Sequence, residues 1–197
     1  MSLLRISFFL LITCSILALS SCASFNGVGN AAIKNDWSKA PKPYIDALSA
    51  ARKGNSKEAI RLFKQTIVSY PQYAPAYTNL GLQQLHIRNR SAAKINLTKA
   101  ITLKPNNPIS YNHLGVIARI NGNFDEALKL YQKSLDLNED YALAHLNMGI
   151  LQDLYLYDLT QALEHYESYQ SLIKKKDKLV AKWIIDIKRR IAKNKKS

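Results

Sequence analysis

Side chains suited to nucleophilic or metal chemistry are scarce: the chain has two cysteines and four histidines. His86, His113, His145 and His165 never take the i, i+4 spacing with an intervening glutamate that a zinc-binding HExxH helix needs. There is no glycine-rich phosphate loop and no GxSxG nucleophile turn. The sequence therefore predicts no enzyme, no metal and no cofactor. One thiol stands apart. Cys14 lies inside an apolar run, residues 6–19, and Cys22 follows just after it. With the run removed, Cys22 is the last thiol and has no partner for an intramolecular disulfide.

The run itself supplies the reason for the cysteine. Residues 6–19 are 14 nearly all apolar positions behind a single charge, Arg5. That is the length of a signal-peptide core, whereas a membrane-spanning helix needs about 20 residues. Small residues follow at once: Ser20, Ser21, Cys22 and Ala23. Ala18-Leu19-Ser20 would suit an ordinary signal peptidase. Leu19-Ser20-Ser21-Cys22 resembles the bacterial lipobox. That resemblance implies diacylglycerol on the Cys22 sulfur, cleavage before it, and acylation of the new amino group. Residues 1–21 are then a lipoprotein signal peptide, and Cys22 is the lipidation site. Several acyl chains at about 0.8 kcal/mol per buried methylene make a firm anchor. Ala23 stands where an Asp often retains such proteins in the inner membrane. The resemblance thus implies the periplasmic face of a Gram-negative outer membrane.

Charge is unevenly spread. Without Arg5, 28 − 1 = 27 basic residues face 14 acidic ones, a net of +13. Residues 174–197 hold eleven Lys or Arg and two Asp, so +9 of that total is C-terminal. For an exported chain the expected partners of this end are anionic lipid, an anionic envelope polymer or an acidic protein, not nucleic acid. Residues 22–40 are small and polar with no period and read as a lipid tether. Trp37 is the exception, placed either on the first helix or at the membrane surface.

The rest of the chain repeats. Gly81, Gly115 and Gly149 are spaced by 34 residues, preceded by Leu80, Leu114 and Met148. Tyr77, Tyr111 and His145 stand four residues before those glycines. Ala59, Ala93 and Ala127 share the period, with Phe63, Leu97 and Tyr131 four residues later. Pro71 and Pro105 close two repeats, and Glu139 replaces a third proline. Apolar residues at helical spacing define two helices per repeat, and Asn121-Gly122-Asn123 supplies a turn. Each helix pair leaves an apolar face that only the next pair can cover, which forces stacking.

This pattern resembles the tetratricopeptide repeat (TPR), with residues 110–138 the best copy. The resemblance implies an all-α, right-handed solenoid of four helix pairs over residues 41–175. The repeats fall at about 40–73, 74–107, 108–141 and 142–175. Repeat one carries Ala47 and Asp46 where glycine and leucine are usual. Repeat two has Arg88 at the turn glycine. Repeat four has one extra residue, since 162 − 149 = 13 where the others have 12. Residues 176–197 form a basic amphipathic helix and tail. Leu179, Val180, Trp183, Ile184, Ile187 and Ile191 make its apolar stripe. It reads as the solenoid's cap, with Trp183 largely buried; a helix lying on the membrane is the other reading.

In TPR proteins the first helix of each repeat lines a binding groove. The position after the repeat glycine is Leu48, Leu82, Val116 and Ile150, an aliphatic ladder. Four residues earlier stand Tyr44, Thr78, Asn112 and Leu146. Three later stand Ala51, Leu85, Arg119 and Asp153, followed by Arg52, His86, Ile120 and Leu154. Asn79 and Asn147 fill a place usually structural, and His113 and His145 read as scaffold. The Asn96-Leu97-Thr98 glycosylation triplet is discounted because it lies in a helix of a bacterial-type lipoprotein. The ladder either binds a peptide or is covered by the chain's own tether or last helix. The implied function is a lipid-anchored scaffold that docks a protein partner and assists assembly of an envelope machine, a pilus or secretion system. The alternatives are an adaptor of peptidoglycan hydrolases, or direct binding of an anionic envelope polymer or glycolipid through the basic C-terminal end.

Overall fold

The computed structural model describes residues 39–195. The lipidation site Cys22, the tether and Trp37 lie outside the described residues. Nine α-helices and no strand occur among them: α1 (Lys42–Arg52), α2 (Ser56–Ser69), α3 (Ala74–His86), α4 (Arg90–Leu103), α5 (Pro108–Ile120), α6 (Phe124–Leu137), α7 (Ala142–Leu151), α8 (Leu159–Leu172) and α9 (Lys178–Asn194). Helices α1 to α8 form four successive pairs, and each helix packs on the one before and the one after. This is the solenoid that the 34-residue period predicts.

Within each pair the period has a steric cause. A Cβ on Gly81 would lie 2.7 Å from Leu97 Cγ. On Gly115 it would lie 2.6 Å from Tyr131 Cε1, and on Gly149 2.6 Å from Tyr166 Cδ1. In these three pairs the first helix presses on the second where it lacks a side chain, and in the first pair the small Ala47 takes that place, fully buried. Ala59, Ala93, Ala127 and Ala162 answer from the second helix, all fully buried. Phe63, Leu97, Tyr131 and Tyr166 fill the space four residues on, and they too are buried.

The turns inside the pairs also recur. Gly54, Arg88, Gly122 and Tyr157 all have positive φ, between 59° and 81°. Next to each stands the cap of the second helix. Asn55, Asn89 and Asp158 accept from the backbone N–H three residues on, satisfying an amide that the helix leaves unpaired. In the third pair Asn123 instead turns its side-chain amide toward Glu126.

The extra residue of repeat four is absorbed at a single point. Residues Gln152–Leu156 form a π-helical turn, which takes up one residue without breaking the helix axis. Tyr157 then makes the left-handed turn, and α8 begins at Leu159. The inserted turn also puts Tyr155 beside Phe124, with ring centroids 4.6 Å apart.

Helix α9 stands where the first helix of a fifth repeat would. Counting one period and the extra residue, 149 + 35 = 184 places Ile184 at the repeat-glycine position. Among the described residues no later helix presses on it, so no glycine is needed there. Val180 and Ile187 are the fully buried residues of α9. Trp183, expected to be largely buried, is only partly so; its ring lies 5.4 Å from that of Tyr166. The stripe rotates slightly because Ile187, not Trp183, faces the centre of the cluster with Ala162 and Tyr166. α9 caps the stack.

Candidate binding groove

The groove residues come from α1, α3, α5, α7 and, for Asp153 and Leu154, the π turn that follows α7, and they divide into two kinds. Tyr44, Thr78 and Asn112 are buried and act between neighbouring repeats rather than at an open surface. Asn79 Nδ2 donates to Tyr44 Oη at 2.9 Å, and Asn147 Nδ2 donates to Asn112 Oδ1 at 2.9 Å, each across 35 residues. Asn107 Nδ2 donates to Thr78 Oγ1 at 2.8 Å, and that hydroxyl lies 3.1 Å from Ser110 Oγ. A polar contact at each joint favours one register of stacking over a sliding apolar one, although Asn112 Nδ2 is buried without a partner. Burial holds the Tyr44 phenol well above its ordinary range, so it stays a neutral partner for Asn79.

The second kind faces outward. Leu48, Leu82 and Val116 of the ladder are partly exposed, as are Ala51, Leu85 and Ile120, while Arg52 and His86 are exposed. Arg119 stands among them, partly buried. Its Nε donates to Tyr131 Oη at 3.3 Å, and its guanidinium lies 5.8 Å from the Tyr155 ring centroid. The guanidinium is thereby held in a fixed place by groups from α6 and the π turn.

At repeat four the ladder closes. Ile150 is 6% exposed and shares one apolar cluster with Ala162, Tyr166, Val180 and Ile187, while Leu146 and Leu154 pack against that cluster. Asp153 is 7% exposed, and Arg190 of α9 donates to its Oδ1 at 2.6 Å. The expectation that Ile150 continues an open ladder is corrected: it belongs to the cap contact. The open part therefore runs over α1, α3 and α5. Neither the Asp153–Arg190 pair nor the Arg119–Tyr155 contact was foreseen. Both depend on the inserted turn, and the Asp153–Arg190 pair also on the angle of α9, which no spacing encodes.

His145 and His165 come together. His145 Nε2 lies 2.8 Å from the Glu139 carbonyl oxygen, to which it donates, and its Nδ1 lies 3.0 Å from His165 Nδ1. With its Nε2 committed to the carbonyl, His145 offers Nδ1 as the acceptor for His165 Nδ1–H. Burial first, and His145 second, lower His165 to about 4. Burial alone brings His113 to about 4. These are neutral scaffold histidines. Among the described residues no group of three or more His, Cys, Asp or Glu is placed to hold a metal ion. No described helix is long and apolar enough to cross a membrane.

Comparison with known proteins agrees with this geometry. Tetratricopeptide-repeat family models match residues 74–107 and 108–141. The chain carries tetratricopeptide repeats. Anaphase-promoting complex subunit 6 of Dictyostelium discoideum is 31% identical over 134 residues, 66% of this chain but only 16% of that protein. A crystal structure of MamA protein superposes with a TM-score of 0.56 at 25% identity, covering 66% of this chain and 70% of that one. A thermophilic TPR protein from Thermus thermophilus gives 0.59 at 21% identity, over 66% and 72%. An O-GlcNAc transferase mutant from Thermobaculum terrenum gives 0.61 at 22%, but the match covers just 25% of that chain. Its likeness is one of TPR fold alone. TPR repeats are protein-interaction modules.

Proposed function

We propose that this chain is a lipid-anchored TPR scaffold of the cell envelope. It docks a protein partner and assists assembly of an envelope machine, a pilus or secretion system. The observation that carries the docking part is the half-buried aliphatic run of Leu48, Leu82, Leu85, Val116 and Ile120, edged by Arg119 and His86; Leu48, Leu85 and Val116 pack partly on the core. A partly exposed apolar strip with a few placed polar groups suits an extended or helical peptide. The anchor rests on Leu19-Ser20-Ser21-Cys22.

Two variants test the two parts. Leu82→Glu with Val116→Glu should abolish capture of the partner crosslinked in the wild type, with helicity and melting nearly unchanged. Carboxylates on a strip that must be covered block docking, whereas inside a core they unfold it. Loss of the fold would reassign the strip to packing. Cys22→Ser should release the protein to the soluble fraction; a variant that still sediments with membranes at high salt rules out the lipid anchor.

A further inference from the structure

Helix α9 has a buried face and an outer one. Val180 and Ile187 are fully buried, and Trp183, Ile184 and Ile191 pack beside them. At about 100° per residue the opposite side carries Lys178, Lys182, Ile185, Arg189 and Lys193. All five are exposed, Ile185 at 52%. The nearby carboxylates are committed elsewhere. Glu167 pairs with Lys188 at 2.7 Å, Asp186 with Arg190 at 3.7 Å, and Asp177 caps α9 by accepting from the Leu179 and Val180 amides. Among the described residues Lys178, Lys182, Arg189 and Lys193 have no carboxylate partner. The exposed lysines of residues 174–176 lead straight into this row.

A cap needs only a polar outer face, and mixed charge would serve. Apart from Asp186 at its edge, paired with Arg190, this face has one sign, so its cations repel one another until anions are laid against them. It is also convex, with an apolar side chain at mid-row. We propose that the outer face of α9 rests on an anionic phospholipid bilayer, with Lys178, Lys182, Arg189 and Lys193 on headgroup phosphates and Ile185 inserted between them. Clustered cations on a helix are drawn to such surfaces, and an apolar side chain among them enters the interface. The choice of a bilayer over an acidic protein rests on the envelope reading above. The surface itself depends on neither Cys22 nor the groove.

The test is partitioning of the full chain onto phosphatidylcholine vesicles with and without phosphatidylglycerol. The ratio between the two isolates the charge-dependent part from any binding through residues 6–19. The expected result is a strong preference for the anionic vesicles that falls steeply with salt. Lys182→Gln with Arg189→Gln should lower that preference roughly thirtyfold with melting unchanged, because each cation at the surface is worth about 1 kcal/mol. Lys94→Gln with Lys99→Gln on α4 should leave it alone. Equal partitioning onto both vesicles, or a preference that survives the double variant, overturns the proposal. So does a crosslinked acidic protein that is lost with Lys182 and Arg189 when vesicles are not bound. Any of these outcomes leaves the groove and lipid-anchor tests standing.

Discussion

Asp153 and Arg190 stand 37 residues apart and meet at 2.6 Å, tying the inserted turn of repeat four to the capping helix. The two ends of the pair differ in their surroundings: the Asp153 side chain is 9% exposed and that of Arg190 39%. Burial raises the Asp153 carboxyl, and Arg190 pulls it back only in part. Removing Arg190 strands a buried carboxylate, whereas removing the charge of Asp153 leaves a guanidinium that still has water and Asp186. Arg190→Ala is therefore expected to cost roughly 1–3 kcal/mol and Asp153→Asn clearly less. Denaturant melts of the two variants check the order, and equal losses would show that the pair is screened like a surface one.

The turn between α3 and α4 is built on Arg88 at φ 62°, where the first and third turns have Gly54 and Gly122. A Cβ at either glycine would meet nothing within 4 Å, so only the backbone distinguishes the residues there. Arg88→Gly should stabilise the domain by about 0.5–1 kcal/mol, and Gly122→Ala should destabilise it by a similar amount. Thermal melting of both variants gives the answer; shifts of the same sign would contradict the backbone account.

Acid should loosen the stack through its histidines. His113 and His165 are held at about 4, below the ordinary 6.5, because burial favours their neutral forms. A depressed base contributes stability that is complete above 6.5 and is lost as the pH falls toward 4, since only the unfolded chain takes up the proton. Asp153 runs the other way: its raised carboxyl favours the fold more as the pH falls. The expected result is a melting temperature that drops by roughly 5 °C or more between pH 7 and pH 5. That slope should flatten in His165→Gln and His113→Gln, and a wild-type curve flat over this range would refute the assignment.

Much of this was legible in the residues because a repeat states its own geometry several times. Gly81, Gly115 and Gly149 with Leu97, Tyr131 and Tyr166 specify a close approach of two helices. That contact lies within one repeat, so local spacing encodes it. The turn at Gly122 is local for the same reason, and so is the apolar stripe of α9, except that Leu179 falls off it and is exposed. Contacts between repeats are different. Whether Thr78 or Asn112 faces a ligand or a neighbouring repeat depends on the angle at which the next pair stacks. That angle arises from the sum of many packing contacts. The extra residue of repeat four was countable, but a π turn, a longer loop or a shifted helix would each have absorbed it. Only the tertiary structure chose the π turn, which set Tyr155 over Arg119 and Asp153 under Arg190. It likewise moved Ile150 from the open ladder into the cap: α9 carries its own apolar face, and burying that face against repeat four also buries the last rung.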